Sequence, residues 1–128
     1  MTEVREYIDQ NDRSHFREWF DNADATVAAK ITKAVQKLSA GHVGNTKSVG
    51  EGVSEYKIDY GPGYRVYYGK DGDSLVLLLT GGNKKSQRND IAEAKRLWKE
   101  YKRRKRELEK AKVERDKKGT RHGTHKRI

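Results

Sequence analysis

A turn signal flanked by two alternating segments does most to limit how this chain can fold. Gly61-Pro62-Gly63 lies between Glu55–Tyr60 and Tyr64–Tyr68. Pro62 fixes its own φ and the glycines are free to take positive φ, so the segment reads as a tight hairpin. Side chains alternate along a strand. One face of the hairpin therefore carries Tyr56, Ile58, Tyr60, Tyr64, Val66 and Tyr68, and the other carries Glu55, Lys57, Asp59, Arg65 and Tyr67. Setting Tyr60 opposite Tyr64 puts Asp59 against Arg65, Ile58 against Val66, Lys57 against Tyr67 and Tyr56 against Tyr68. A slip of one residue would bury the charged set, so the two faces are strongly specified.

The flanking sequence extends this unit. Lys70-Asp71-Gly72-Asp73 is a second hairpin turn. Leu75–Leu79 is apolar on both faces, as a central strand requires. It runs into Gly81-Gly82, whose missing side chains let the backbone approach a ligand closely, and then into a basic loop, Lys84-Lys85. A last helix is predicted from near Ser86 with Ile91, Ala94, Trp98 and Tyr101 on one face.

Upstream, Thr2–Ile8 reads as a first strand. Ser14–Phe20 reads as a short helix with Phe16, Trp19 and Phe20 on one face. Asp24 is a predicted N-cap for a second helix whose apolar stripe is Val27, Ile31, Ala34, Val35 and Leu38, stopped by Gly41. Residues 41–52 are glycine-rich and polar, with a short strand at Lys47–Val49. The order β-α-α-β-β-β-α is an α+β fold, helices packed against one antiparallel sheet.

The chain has 128 residues, which suits one domain over residues 1–101 and a tail over 102–128. The tail has good helix formers and i,i+4 charge pairs such as Glu100 with Arg104 and Glu114 with Lys118. Gly119–Ile128 lacks any burying pattern and is expected to be disordered. The formal net charge of +10 lies entirely in residues 96–128, because residues 1–95 hold 14 Lys/Arg and 14 Asp/Glu. That tail either attracts polyanions or is a solvated helix that keeps the protein soluble. The chain has no cysteine, which excludes disulfides and thiolate chemistry and fits a reducing cytoplasm. It has no apolar run long enough to span a membrane and no leader-like N-terminus. Neither GxxxxGKS nor GxGxxG occurs, so nucleotide binding has no support.

The run Val53-x-Glu55-x-Lys57-x-Asp59-Tyr60-Gly61-Pro62-Gly63-Tyr64-Arg65-Val66-Tyr67 resembles the RelE/ParE toxin superfamily. The closer similarity is to its phage-derived HigB-like branch, the addiction module killer proteins. Leu79-Thr80-Gly81-Gly82-Asn83-Lys84-Lys85-Ser86-Gln87-x-x-Asp90-Ile91 is similar to that branch's second signature. Phe16-x-x-Trp19 and Gly41-x-x-Gly44-x-x-Lys47-x-x-Gly50-x-Gly52-Val53 also fit, so the resemblance covers residues 3–98.

The resemblance implies the toxin of a type II toxin–antitoxin system, an mRNA interferase cleaving mRNA in the ribosome. It implies a metal-independent endoribonuclease that uses the RNA 2′-hydroxyl and needs no cofactor. The expected partner is a cognate helix-turn-helix antitoxin, with operator DNA bound only through the toxin–antitoxin complex. Two alternatives stay open: a ParE-like gyrase poison, and a non-catalytic nucleic-acid-binding module driven by residues 96–128.

The resemblance puts catalysis on Arg65, Lys84 and Lys85. Arg65 matches the strand arginine that relatives use on the scissile phosphate, and a guanidinium grips two phosphate oxygens at once. Its plainer role is a cross-strand ion pair with Asp59. Lys85 aligns with a basic residue near the leaving group, and a lysine there supplies charge or a proton. Lys47 and Lys57 are candidate RNA phosphate contacts. Glu55 is a candidate general base or a partner of Lys57. Gln87 is a candidate RNA contact; both it and Asp90 match the branch signature and are also ordinary first-turn helix residues, where Asp favours the dipole. Ile91 stands where RelE has a tyrosine. His15, His42, His122 and His125 all fall outside the hairpin and the lysine loop, and a surface role is expected for each.

Overall fold

The computed structural model describes residues 2–127, and side chains for residues 2–117. The elements run β1 (Glu3–Glu6), α1 (His15–Asp21), α2 (Ala25–Ser39), β2 (Thr46–Gly50), β3 (Val53–Ile58), β4 (Tyr64–Asp71), β5 (Leu75–Asn83), a 3-10 turn (Lys84–Ser86) and α3 (Gln87–Arg127). The fold is α+β, as expected, and is consistent with a RelE-like architecture. The five strands form one sheet in the order β1-β5-β4-β3-β2. Its β1 strand pairs parallel with β5, Glu3 against Leu75 and Glu6 against Leu78. The sheet is therefore mixed, not purely antiparallel. The connection from β1 to its parallel partner β5 runs through α1, α2 and the strands β2–β4, well beyond the length of about a dozen residues a parallel pair needs.

Local signals set the helix ends. The Ser14 side chain accepts from the Arg17 N–H at 2.9 Å, and the Asp24 side chain from the Val27 N–H at 2.9 Å, closing the N-termini of α1 and α2. Gly41 takes φ +84° just past α2, and the His42 N–H donates to the Lys37 carbonyl at 2.8 Å. That is the left-handed stop a glycine permits.

One sheet face carries the main core. Phe16, Val27, Ile31, Ala34 and Leu38 pack on Tyr56, Ile58, Val66, Tyr68, Val76 and Leu78. Burying a large apolar side chain contributes about 1.5–3 kcal/mol, so this layer is the principal stabilising term for the sheet. The opposite face holds the start of α3. Trp98 lies so close over Gly69 that a Cβ there would come within 2.4 Å of the indole, and within 2.6 Å at Gly52. Leu97 is fully buried beside it on the helix and was not part of the predicted stripe.

The chain divides into two compact units, Met1–Trp98 and Lys99–Ile128. In the second unit α3 continues with ion pairs from Arg104 to Glu100 at 4.0 Å and from Arg103 to Glu107 at 3.8 Å. The Glu114–Lys118 pair lies outside the described side chains. The backbone of α3 is helical to Arg127, where the sequence pattern had suggested disorder from Gly119. Adding a residue to an existing helix avoids the cost of nucleating one. No helix among the described residues is long and apolar enough to cross a membrane.

Candidate functional site

The hairpin register differs from the sequence expectation by two residues. Ile58 faces Tyr64, Lys57 faces Arg65, Tyr56 faces Val66 and Glu55 faces Tyr67. A shift of two preserves the faces, so the apolar tyrosines stay on the main core. The cause is the loop. Asp59–Gly63 forms a five-residue turn in which the Tyr60 N–H donates to the Ile58 carbonyl and the Gly63 N–H to the Tyr60 carbonyl, both at 3.0 Å. Gly61 and Gly63 take φ of +55° and +81°. Asp59 is thereby removed from Arg65 and pairs instead with Lys57, Nζ to Oδ1 at 3.3 Å.

The second half of the site is built by the end of β5. The Asn83 side chain accepts from the N–H groups of Lys85 at 2.9 Å and Ser86 at 3.2 Å, turning the chain into α3. The Lys84 N–H donates to the Gly63 carbonyl at 3.1 Å, which fastens this turn to the hairpin loop. The result is an open cleft of about 380 Å³ lined by Lys57, Asp59, Tyr60, the Gly61-Pro62-Gly63 turn, Arg65 and Lys84.

Arg65 is the unusual member. The face that carries it was expected to be polar and open, yet Arg65 is only 7% exposed and Glu55 only 4%. Glu55 Oε1 accepts from Gln87 Nε2 at 2.9 Å and from the Tyr67 hydroxyl at 3.2 Å, and lies 3.3 Å from Arg65 Nε. The Arg65–Glu55 contact is an ion pair without hydrogen-bond geometry. Arg65 Nε and Nη1 are both buried and have no hydrogen-bond partner among the described residues. Unfilled donors on a buried charge are costly, and the same residue lines a cleft that also holds Lys57 and Lys84.

Burial and the Glu55 carboxylate beside it push the Tyr67 phenol well above its ordinary range. Tyr67 therefore stays a hydrogen-bond donor. Burial likewise raises the Asp90 carboxyl, opposed by the Ser86 hydroxyl, which donates to Asp90 Oδ2 at 2.5 Å.

The structure thus brings Arg65, Lys57 and Lys84 to one cleft, with Glu55 and Gln87 holding Arg65 from behind. Gln87 acts on Glu55, as a helix residue in the protein's own polar seam. Lys85 is exposed in the 3-10 turn and is not among the cleft-lining residues. Lys47 is exposed on β2, opposite Glu55 in register, and also lies outside the cleft. Gly81 and Gly82 are closely approached by the protein's own side chains. A Cβ at Gly81 would come within 2.1 Å of the Trp19 ring, and one at Gly82 within 1.8 Å of Asp90 Oδ2. They are small so that α1 and α3 can close on β5.

His15 corrects another expectation. Its side chain is 17% exposed and lies between Asp9 Oδ2 at 3.0 Å and Glu93 Oε1 at 3.5 Å. The turn-forming run Asp9-x-Asn11-Asp12-Arg13-Ser14 is the signal that could have placed it. His42 is exposed in the loop before β2, as expected, and the side chains of His122 and His125 lie outside the described residues. Among the described residues no cluster of His, Cys, Asp or Glu is arranged to hold a metal ion.

The sequence model of a family described as phage-derived protein Gp49-like matches residues 18–116, from α1 through most of α3. A protein of Haemophilus influenzae, described only as uncharacterized, is 46% identical over 72 residues, spanning 56% of this chain and 73% of the relative.

Proposed function

This chain belongs to the phage-derived Gp49-like family, and on that premise we propose that it is the toxin of a type II toxin–antitoxin pair, an mRNA endoribonuclease acting in the ribosome. The observation that carries the reading is that Arg65, held by Glu55, lines one cleft together with Lys84 and Lys57. Such a site fits a phosphodiester better than an uncharged ligand. Cations fixed in place before the reaction stabilise the charge that develops on the phosphate, because they need little reorganisation as it forms.

Cleavage then needs no metal. The RNA 2′-hydroxyl attacks the adjacent phosphorus, and its proton passes to Asp59, the carboxylate that lines the cleft. Arg65 and Lys57 take the developing charge on the non-bridging oxygens. Lys84 gives a proton to the departing 5′-oxygen as the P–O5′ bond breaks. Glu55 is a positioning residue, since the Tyr67 and Gln87 donors and the Arg65 charge all converge on its Oε1.

A small antitoxin with a helix-turn-helix DNA-binding unit would cover this cleft in resting cells. Operator DNA would be bound through that complex, and the ribosomal target places the action in the cytoplasm.

The test is a purified, translating ribosome system read by primer extension. The wild type is expected to create new 5′ ends within codons. Lys84→Ala is expected to slow their appearance by roughly a hundredfold, the scale on which one transition-state donor acts. Intact mRNA with the wild type, together with inhibited supercoiling by gyrase, would replace this reading with the gyrase-poison alternative.

A further inference from the structure

Residues 1–95 carry as many acidic as basic side chains, so an unbiased surface would intermix them. One region does not. Lys30, Lys33 and Lys37 lie at i, i+3 and i+7 on α2, which places them on one face. The buried residues Val27, Ile31, Ala34 and Leu38 mark the other side of the helix. Between Ala25 and Ser39 there is no Asp or Glu. Among the described residues none of the three lysines has an ion-pair partner, and Lys30 stands over the Tyr60 ring, 5.0 Å from its centroid.

These lysines line a second depression, of about 150 Å³, together with Asn45, Lys57 and Asp59. Lys57 and Asp59 also line the Arg65 cleft. The two depressions therefore abut. Their combined rim holds six of the 14 cations of residues 1–95 and one of the 14 acids, Asp59, already paired with Lys57. Tyr60, 40% exposed, stands at the junction.

We propose that α2 is a second binding site, a track for the sugar–phosphate backbone of single-stranded RNA leaving the Arg65 cleft. The inference rests on the ribonuclease reading. It adds where the flanking RNA runs and what holds it. Tyr60 offers a stacking face at the point where the strand leaves the cleft. Lys33 and Lys37 then neutralise successive phosphates along the helix. Single strands suit a track of this kind because lysines spaced on a helix impose no duplex geometry, and an aromatic face accepts any base.

The experiment uses the full-length protein and fluorescent RNA bearing 2′-O-methyl groups, which it cannot cleave. The variant replaces Lys30, Lys33 and Lys37 by Gln, a comparable helix former, at exposed positions where folding is not at stake. A probe of about twelve nucleotides should span cleft and track, and one of about four only the cleft. Each lost phosphate contact lowers the log–log salt slope by about 0.7 on single strands, so losing the Lys33 and Lys37 contacts should cost about 1.4 in slope on the long probe and weaken its binding at least about tenfold. The short probe should bind both proteins equally.

Equal slopes on the long probe would overturn the track and assign the lysines to an acidic protein partner. Equal loss on both probes would also overturn it, since the lysines would then act on the cleft. If the wild type cleaves mRNA but the slopes match, only the track fails. If the wild type binds neither probe and cleaves nothing, the ribonuclease reading fails first.

Discussion

Glu55→Gln isolates what holds Arg65 in place. Glutamine keeps the shape of Glu55 and an oxygen that can still accept from Tyr67 and Gln87. It removes only the charge opposite a guanidinium whose side chain is 9% exposed. At 3.3 Å the ion pair has a Coulomb energy of about 5 kcal/mol at an effective dielectric of about 20. Breaking a buried pair from one side costs about 3–5 kcal/mol, because the remaining charge stays desolvated. Against a total stability of about 5–15 kcal/mol that is a large loss, and it should lower Tm by about 12–20 °C at this size. Urea unfolding at neutral pH, followed by Trp19 and Trp98 fluorescence, measures it. Adding Arg65→Met to Glu55→Gln removes the stranded charge and should recover part of the loss. A cost below about 1 kcal/mol for the single variant, or a double variant less stable than the single, would refute the reasoning, since Arg65 would then be solvated and its donors satisfied by water.

Three further outcomes follow from the same geometry. Inorganic phosphate should bind among Arg65, Lys57 and Lys84 and raise Tm by several degrees, about 1.4 kcal/mol at ten times Kd; the combined Lys57→Ala, Lys84→Ala variant should show much less of this rise in the same calorimetric titration. Gly82→Ala places a Cβ 1.8 Å from Asp90 Oδ2 and 2.7 Å from Ser86 Oγ, and should cost about 1–3 kcal/mol by overpacking; an unchanged urea midpoint would count against the close fit of α3 on β5. The Asp9 carboxyl lies below its usual range, since desolvation would raise it but the Arg13 N–H, the His15 imidazole and the Asn11 N–H outweigh that. Its stabilisation is present above the unfolded-state value of about 3.9 and is lost as pH falls through the lowered folded value. Asp9→Asn should therefore flatten the acid limb of the stability–pH curve below about pH 4, and identical limbs would remove Asp9 from the account.

The elements were legible because their signals are local. Ser14 and Asp24 cap helices, Gly41 ends one, and the alternation around Gly61-Pro62-Gly63 assigns faces that survive a register error. The register itself was not legible, because a five-residue loop and a shorter one serve the same faces equally well. The parallel pairing of β1 was hidden as well, since four residues with a thin apolar pattern do not say which edge they join. Among site residues, Arg65, Lys84 and Lys57 emerge together in the cleft. Lys85 and Lys47 do not, because adjacent residues in a 3-10 turn diverge and the β2 edge lies away from the hairpin loop. What the pattern missed most was burial of the Glu55–Arg65–Tyr67 face. Polar residues at period two read as open to water, and only the docking of α3 shows that they form an internal seam. The lysines of α2 escaped notice for the opposite reason. Spaced three and four apart in a helix, they look like an ordinary wet face until the hairpin is folded beside them.

The union of β1 with β5 also sets an order for biosynthesis. Glu3 waits for Leu75 before it has a hydrogen-bonding neighbour, so on a translating ribosome the leading strand stays bare while most of the sheet is still being made. Lys84 emerges later still, after the last strand. The cleft that Lys84 shares with Arg65 and Lys57 therefore takes shape only after the last strand has been made.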